Sequence, residues 1–380
     1  MCNQKPFIFG MPAANEYFIG REKEVKRLAA NFTNGINTIL ISPRRYGKTS
    51  LVKHVAQMVN SAEVKVVYLD AFACRSEYDF YNQLSAAVLQ QTSTKIDEWR
   101  QTAADFLSRL MPKISFSPDP SQEISLSLGI TPKTHTPESV LALPQQIAEK
   151  QNCHIVVCID EFQQVGEFPD SLTVQKRMRT VWQHHNRVSY CVFGSKKHLM
   201  NTMFQSRSYP FFKFGDMIFL ESIPAETWIP FLRRQFAKEG KTLPDAIARK
   251  ICETVGCNSQ YVQQLAYLTL LNTDNVTTEA DFEASVSDLL VENEMLFISQ
   301  TEKLTTFQLN FLRAIKSGVK KDFGLAAVRD EYGLGSASNI NRLKTALIER
   351  EIIDFNADGY DFADPVMKIW FGRKQYFSNR

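Results

Sequence analysis

The sequence predicts an α/β protein: a doubly wound parallel sheet, then a helical domain, then a small C-terminal module of three helices and a hairpin. Three observations predict it. Through the first 220 residues or so, short runs that are apolar along their whole length alternate with helical segments, the pattern of a parallel sheet covered on both faces. The stretch from 223 to about 298 shows helical periodicity throughout, and the last part ends in two short runs around Asp358-Gly359, a hairpin signal. At 380 residues the length fits two or three domains of about 150 residues each, with boundaries expected at 1–222, 223–298 and 299–380.

The elements follow in chain order. Thr38 to Ser42 is a buried strand, Pro43 to Gly47 a loop, and Lys48 to Val59 a helix with Leu51, Val52, Val55 and Val59 on one face. Further strands are read at Val64–Asp70, Ile155–Asp160, Ser189–Gly194 and Met217–Leu220, with a helix over Tyr78–Gln91. An insertion of about 95–145 interrupts them: Pro112, Pro118, Pro120, Pro132, Pro137 and Pro144 break the pattern, and SQEISLSLGIT alternates like an edge strand, so a hairpin with loops is expected there. Helices are then read at Ala225–Glu239, Pro244–Val255, Ser259–Leu271 and Glu279–Phe297, a lid-like helical domain. Helices at Thr306–Lys316, Leu325–Tyr332 and Ser336–Arg350 before the hairpin give the order of a winged helix.

Composition narrows the classes. Hydrophobic residues make up 44% and charged residues 22%, with 16 Gly and 15 Pro, which excludes collagenous and low-complexity chains. Net charge is +3 from 44 Lys and Arg against 41 Asp and Glu, so no overall field demands nucleic acid as a partner. No apolar run approaches the ~20 residues that span a bilayer, and the N-terminus has no basic stretch before an apolar one; a cytoplasmic protein without membrane contact is expected. The cysteines at 2, 74, 153, 158, 191, 252 and 257 are scattered, without a CxxC pair, and read mostly as small buried hydrophobes.

Two motifs carry chemistry. The segment Ser42-Pro43-Arg44-Arg45-Tyr46-Gly47-Lys48-Thr49 matches G-x-x-x-x-G-K-[ST] except for Ser42 in place of the first glycine. Lying between a buried strand and a helix, it offers backbone N–H groups and a helix N-terminus to phosphate. Lys48 is expected on the β- and γ-phosphates and Thr49 on magnesium. Arg44 and Arg45 either clamp a triphosphate or meet an acidic partner, or at least one points to solvent. About 110 residues downstream, where a P-loop NTPase carries its Walker B strand, Ile155-Val-Val-Cys-Ile-Asp160-Glu161 ends a strand in two acids. Asp160 is expected to hold magnesium and Glu161 to act as general base on water. Ser195, after the fourth strand, either senses the γ-phosphate or caps a helix over Lys196–Asn201.

These residues resemble the AAA+-like P-loop ATPases of the archaeal ATPase family, a branch close to the signal-transducing STAND ATPases, over nearly the whole chain. The resemblance rests on Phe18-Ile19-Gly20-Arg21-Glu22, Pro43 to Ser50, Asp160-Glu161-Phe162-Gln163, Gly194-Ser195, Gly256-x-Asn258-x-x-Tyr261-Val-Gln, and Asp364-Pro365-Val-Met-Lys-Ile-Trp-Phe371. It implies ATP and Mg2+ as ligands, adenine contacts from Ile19, Gly20 and Arg21, phosphate contacts along Ser42 to Ser50, and a first-sensor role for Ser195. It departs from the family pattern at Ser42 and in having no arginine between Gly256 and Leu271. Arg207 and Lys213 are the basic residues of the segment after Ser195-Lys196-Lys197 and before Leu220; Arg207 reads either as a finger acting in trans within an oligomer or as a surface residue.

The third helix of the C-terminal module would carry Asn339, Asn341, Arg342 and Lys344, with Lys320 and Lys321 before it, types that suit a DNA groove. Residues 300–380 hold 13 Lys and Arg against 10 Asp and Glu, with Asp354, Asp358 and Asp361 in the wing, so a protein-docking module stands beside the DNA reading. The first expectation is a Mg2+-dependent ATPase acting as a nucleotide-driven switch that binds ATP and ADP. A DNA-binding regulator with a structural or weakly hydrolysing nucleotide site is the alternative, and a small-molecule phosphotransferase a third.

Overall fold

The computed structural model describes residues 5–92 and 136–373. The expected edge strand, most of the insertion hairpin, and Cys2 lie outside the described residues. Two compact units are present: Arg21–Glu221, and the residues up to Gly20 together with those from Ser222 onward.

In the first unit, β1 (Thr38–Ile41), β2 (Val64–Asp70), β3 (His154–Asp160), β4 (Val188–Gly194) and β5 (Asp216–Phe219) form one parallel sheet in the order β2-β3-β4-β1-β5. β1 and β4 are buried at every position and β3 at every position after His154, as strands covered on both faces must be. The surrounding helices are α1 (Glu22–Thr33), α2 (Lys48–Val59), α3 (Glu77–Thr92), α4 (Pro137–Leu141), α5 (Leu143–Gln151), α6 (Ser171–Trp182) and α7 (Lys197–Gln205).

The described end of the expected insertion is helical, which corrects the reading of Pro137 and Pro144 as breaks. Both lie in the first turn, of α4 and α5 respectively, where the missing N–H has no intrahelical acceptor to lose. Thr136 caps α4 by accepting from the Ser139 N–H. On the outer edge of β2, Gln91 accepts from the Tyr68 N–H and donates to the Tyr68 carbonyl, both at 2.8 Å, so a side-chain amide replaces a neighbouring strand. The core includes a ring cluster of Phe162, Trp182, Phe204 and Phe211. All cysteines described are free thiols, buried except for Cys257, which is half-buried.

The second unit contains α8 (Ala225–Lys238), α9 (Asp245–Thr254), α10 (Ser259–Asn272) and α11 (Glu279–Thr301). It continues through α12 (Thr306–Lys316), α13 (Ala326–Tyr332), α14 (Ala337–Glu349), the antiparallel pair β6 (Ile353–Asn356) and β7 (Gly359–Phe362), and α15 (Pro365–Arg373). Asn258 caps α10, while Thr278 with Asp281 and Thr305 with Gln308 form capping boxes at α11 and α12. Gly359 turns the hairpin at φ +123°. The two C-terminal sequence motifs meet here: Tyr261, 1% exposed, donates its hydroxyl to Asp364 Oδ2 at 2.6 Å. Asp364 Oδ1 in turn accepts from the Val366 and Met367 N–H groups at the start of α15.

On the winged helix, Asn341 and Arg342 are exposed on α14, whereas Lys344 folds back over the Phe323 and Tyr360 rings. Asn339 accepts from Arg342 and donates to the Leu334 carbonyl. Asp361 is paired with Lys320 and Lys368. None of the described helices is long and apolar enough to cross a membrane.

Candidate nucleotide site

The carboxyl ends of β3, β4 and β1 are neighbours in the sheet, the edge at which α/β sheets bind ligands. From β1 the chain enters a loop in which Arg45 (φ +69°) and Gly47 (φ +87°) are left-handed. Such residues turn successive backbone N–H groups toward one concave side, and at Gly47 the conformation alone calls for glycine, since a Cβ there would meet no atom within 4 Å. Gly47 also caps α2, so Lys48 and Thr49 open the helix.

Ser42 explains how the motif tolerates the loss of its first glycine. It is not among the residues with positive φ, and it is 1% exposed, so the position demands small size and no left-handed backbone. Its carbonyl and Oγ accept from Lys48 Nζ at 3.0 and 3.3 Å, and the Pro43 carbonyl accepts at 2.9 Å. The lysine ammonium, 6% exposed, is thus folded onto its own loop. Arg44 is exposed, Arg45 and Tyr46 half-buried, and Ser50 buried in α2.

Thr49 Oγ1 donates to Asp160 Oδ2 at 2.8 Å across the edge from β1 to β3. The same oxygen accepts from the Tyr68 hydroxyl at 2.5 Å, and Oδ1 from the Glu161 N–H at 2.9 Å. Burial pushes the Asp160 carboxyl above its ordinary range, the Tyr68 and Thr49 hydrogen bonds oppose this, and Glu161 and Asp70 add to the rise. Tyr68 is itself pushed strongly upward, first by burial and then by the Asp160 charge, so it stays a donor.

Glu161 has a left-handed backbone at φ +49°, uncommon for this residue type. Phe162, fully buried in the aromatic cluster, anchors the turn. Ser195 donates to Glu161 Oε2 from Oγ at 2.9 Å and from its N–H at 3.4 Å, and Gln163 Nε2 donates to the same oxygen. Ser195 does not cap α7, whose N-cap is Lys196 without a side-chain cap; its hydroxyl is directed at the glutamate. Arg207 and Lys213 are exposed.

The entry motif divides. Ile19 packs against the core of the helical unit, and a Cβ on Gly20 (φ +65°) would come within 2.8 Å of Ile223 and Thr227. Arg21 is 5% exposed and donates to the Tyr46 carbonyl at 3.1 Å, the Glu221 carbonyl at 2.7 Å and Glu24 at 3.2 Å. Its guanidinium ties the phosphate loop to the chain leaving β5; burial lowers its pKa, and Glu24 opposes the shift. Tyr68 and Gln163 were not legible as site residues. A hydroxyl-bearing ring between Val67 and Leu69 of β2 is the available signal for the first; for Gln163 it is its place in the Asp160-Glu161-Phe162-Gln163 motif.

Comparison with known proteins agrees with this geometry. A family model described as "ATPase domain predominantly from Archaea" matches residues 18–265, and one described as "Probable winged helix domain" matches 295–373. A search of curated proteins finds no match. Among solved structures, the Walker-type ATPase Paby2304 of Pyrococcus abyssi aligns with TM-score 0.71 at 17% identity, over 97% of this chain and 100% of that one. The ADP form of the Aeropyrum pernix ORC2 protein aligns with TM-score 0.57 at 16% identity, over 98% of each chain. At such identities the likeness is one of fold, that of a P-loop NTPase sheet with a helical lid domain and a C-terminal winged helix. With the family model spanning residues 18–265, which include the phosphate loop and the acidic strand, the protein belongs to the ATPase family found predominantly in Archaea.

Proposed function

We propose that the chain is a Mg2+-dependent ATPase that hydrolyses ATP to ADP and phosphate and works as a nucleotide-driven switch. The observation that carries the proposal is the Thr49–Asp160 hydrogen bond of 2.8 Å at the mouth of the phosphate loop, with Lys48 and Glu161 the chain neighbours of its two partners. A hydroxyl and a carboxylate are the hard oxygen ligands that Mg2+ takes when phosphate oxygens complete its shell. Bound there, Mg2+ would neutralise charge on the β- and γ-phosphates.

The chain's own groups supply the rest. Lys48 exchanges its bonds to the Ser42 and Pro43 carbonyls for phosphate oxygens, and the N–H groups around Arg45 and Gly47 take the remaining phosphate charge. Glu161 accepts a proton from the water whose oxygen attacks the γ-phosphorus while the bond to the β-phosphate oxygen breaks. Ser195, hydrogen-bonded to Glu161, couples the position of that base to whatever its hydroxyl next meets. These exchanges between intraprotein and ligand bonds support the switch reading.

The test is turnover by the full chain with and without Mg2+. Lys48→Ala and Glu161→Gln should each lose turnover, with Glu161→Gln still binding ATP. Wild-type turnover that survives Glu161→Gln would remove the base from the reading. A second reading, a DNA-binding regulator, is favoured by the exposure of Asn341 and Arg342 and by the pairing of Asp361. Salt-dependent duplex binding without turnover would select it.

A further inference from the structure

We infer that Gln163 is a positioning residue for the general base Glu161, and that residue 194 is glycine to make room for it. The inference rests on the ATPase reading above and deepens it.

Gln163 lies two residues beyond Glu161, in the short 3-10 helix Phe162–Glu167. Its Nε2 donates to Glu161 Oε2. The side chain is 3% exposed, and its Oε1 is buried with no hydrogen-bond partner among the described residues. A buried amide with one end unsatisfied lowers stability relative to an apolar side chain of the same size. Packing alone therefore gives no reason for glutamine here; the single bond to Glu161 does.

Gly194 supplies the independent observation. It ends β4 without a left-handed φ, so its backbone conformation admits any residue. Space does not: a Cβ would overlap Gln163 Oε1 and approach Gln163 Cδ to 3.0 Å and Met200 Sδ to 3.1 Å. The thioether is flexible and can give; the amide is held by its bond to the glutamate.

The consequence is a carboxylate fixed from two sides. Ser195 approaches Oε2 from the end of β4, Gln163 approaches it from the turn after β3, and Phe162 immobilises the backbone between. With Oε2 the anchored oxygen, Oε1 is the one that takes the proton of the attacking water, whose O–H electron pair stays on the oxygen that bonds to the γ-phosphorus. A carboxylate that loses one anchor samples orientations in which that transfer is misaligned. Misplacement on the scale of an ångström costs up to about 100-fold in rate.

The experiment is steady-state ATP turnover by the full chain carrying Gln163→Ala, Gln163→Met, Gly194→Ala, or Gln163→Ala with Gly194→Ala, with the unfolding temperature of each variant recorded. The expected result is a kcat lower by roughly 10- to 100-fold in each Gln163 variant, with KM for ATP within about twofold of wild type. Gly194→Ala should lower kcat comparably by expelling the amide, and should add nothing in the Gln163→Ala background, because both act through one side chain. Wild-type kcat in Gln163→Ala and Gln163→Met would overturn the inference while leaving the ATPase reading intact. Independent, multiplying losses in the double variant would overturn the role given to Gly194. Absence of turnover in the wild type would overturn the ATPase reading, and the inference with it.

Discussion

Replacing Arg21 by Met separates a strut from a ligand contact. The guanidinium is 5% exposed and serves two backbone carbonyls, those of Tyr46 and Glu221, besides Glu24. Hydrogen bonds from a charged donor contribute about 1.5–3 kcal/mol each, and the Tyr46 and Glu221 carbonyls, in part-buried bonds, can turn partly to water once the donor is gone. The cost of burying the guanidinium, visible in its lowered pKa, disappears with the substitution and offsets part of that loss. A net destabilisation of roughly 2–4 kcal/mol follows, a factor of about 30 to 1,000 in the opening equilibrium. Hydrogen exchange on the nucleotide-free full chain reads this segment by segment. Amides from the end of β1 through the first turn of α2, and those around Glu221, should exchange faster by up to that factor. Amides of the winged helix serve as the unaffected control. Wild-type protection in those segments, accompanied by weakened nucleotide binding, would refute the strut and favour the adenine-contact role that the family resemblance implies.

Three further outcomes are expected. Tyr68→Phe removes one donor from Asp160 and should raise the Mg2+ concentration for half-maximal turnover about 10-fold, leaving metal-free ATP binding unchanged; an unaltered Mg2+ dependence would show that Thr49 and the Glu161 N–H suffice to hold the carboxylate. Tyr261→Phe removes the hydroxyl bonded to Asp364 and should cost about 1–2 kcal/mol, read as amides of α15 exchanging roughly 5- to 30-fold faster; unchanged exchange would mean that the cap on Val366 and Met367 stands alone. His185, lowered from 6.5 to about 4 by burial and by His184 against the pull of Glu149, favours the fold only while neutral. Its contribution is intact above pH 6.5 and is lost as pH falls toward 4, by up to about 3 kcal/mol. His185→Gln should therefore flatten the fall in unfolding temperature over that range, and parallel curves for the two proteins would exclude it.

The parts of this molecule that were legible in the sequence are those set by local chemistry. The helix over Lys48–Val59 has the bounds its apolar spacing indicates, because a glycine with positive φ and an amphipathic run fix both its start and its buried face. β3 ends where its two acids begin. Helices α1 and α6 carry no expectation from the sequence, their apolar residues being interspersed with charges, whereas α7 covers the helix expected over Lys196–Asn201 and runs on to Gln205. The prolines at 137 and 144 misled because proline breaks a helix interior but suits its first turn.

The site was legible only along the chain, not across it. Thr49, Asp160, Glu161 and Ser195 could be named from their own motifs. Tyr68 could not, since its role depends on strand register: it pairs with Cys158, one pleat before Asp160, so both side chains share a face and the tyrosine reaches forward to the carboxylate. For Arg21 the motif's resemblance implies a nucleotide contact; that its guanidinium also meets the Tyr46 and Glu221 carbonyls, 25 and 200 residues away in sequence, is a tertiary fact that no local pattern encodes.

The measurement that bears most directly on the central claim is equilibrium binding of Mg2+-ATP to the purified full chain, compared with Lys48→Ala. Saturable binding by the wild type that is weakened at least 10-fold in Lys48→Ala is the predicted result, because the phosphates take over the bonds the ammonium now makes to Ser42 and Pro43. No binding by the wild type at millimolar nucleotide, or equal binding by the two proteins, would contradict the account.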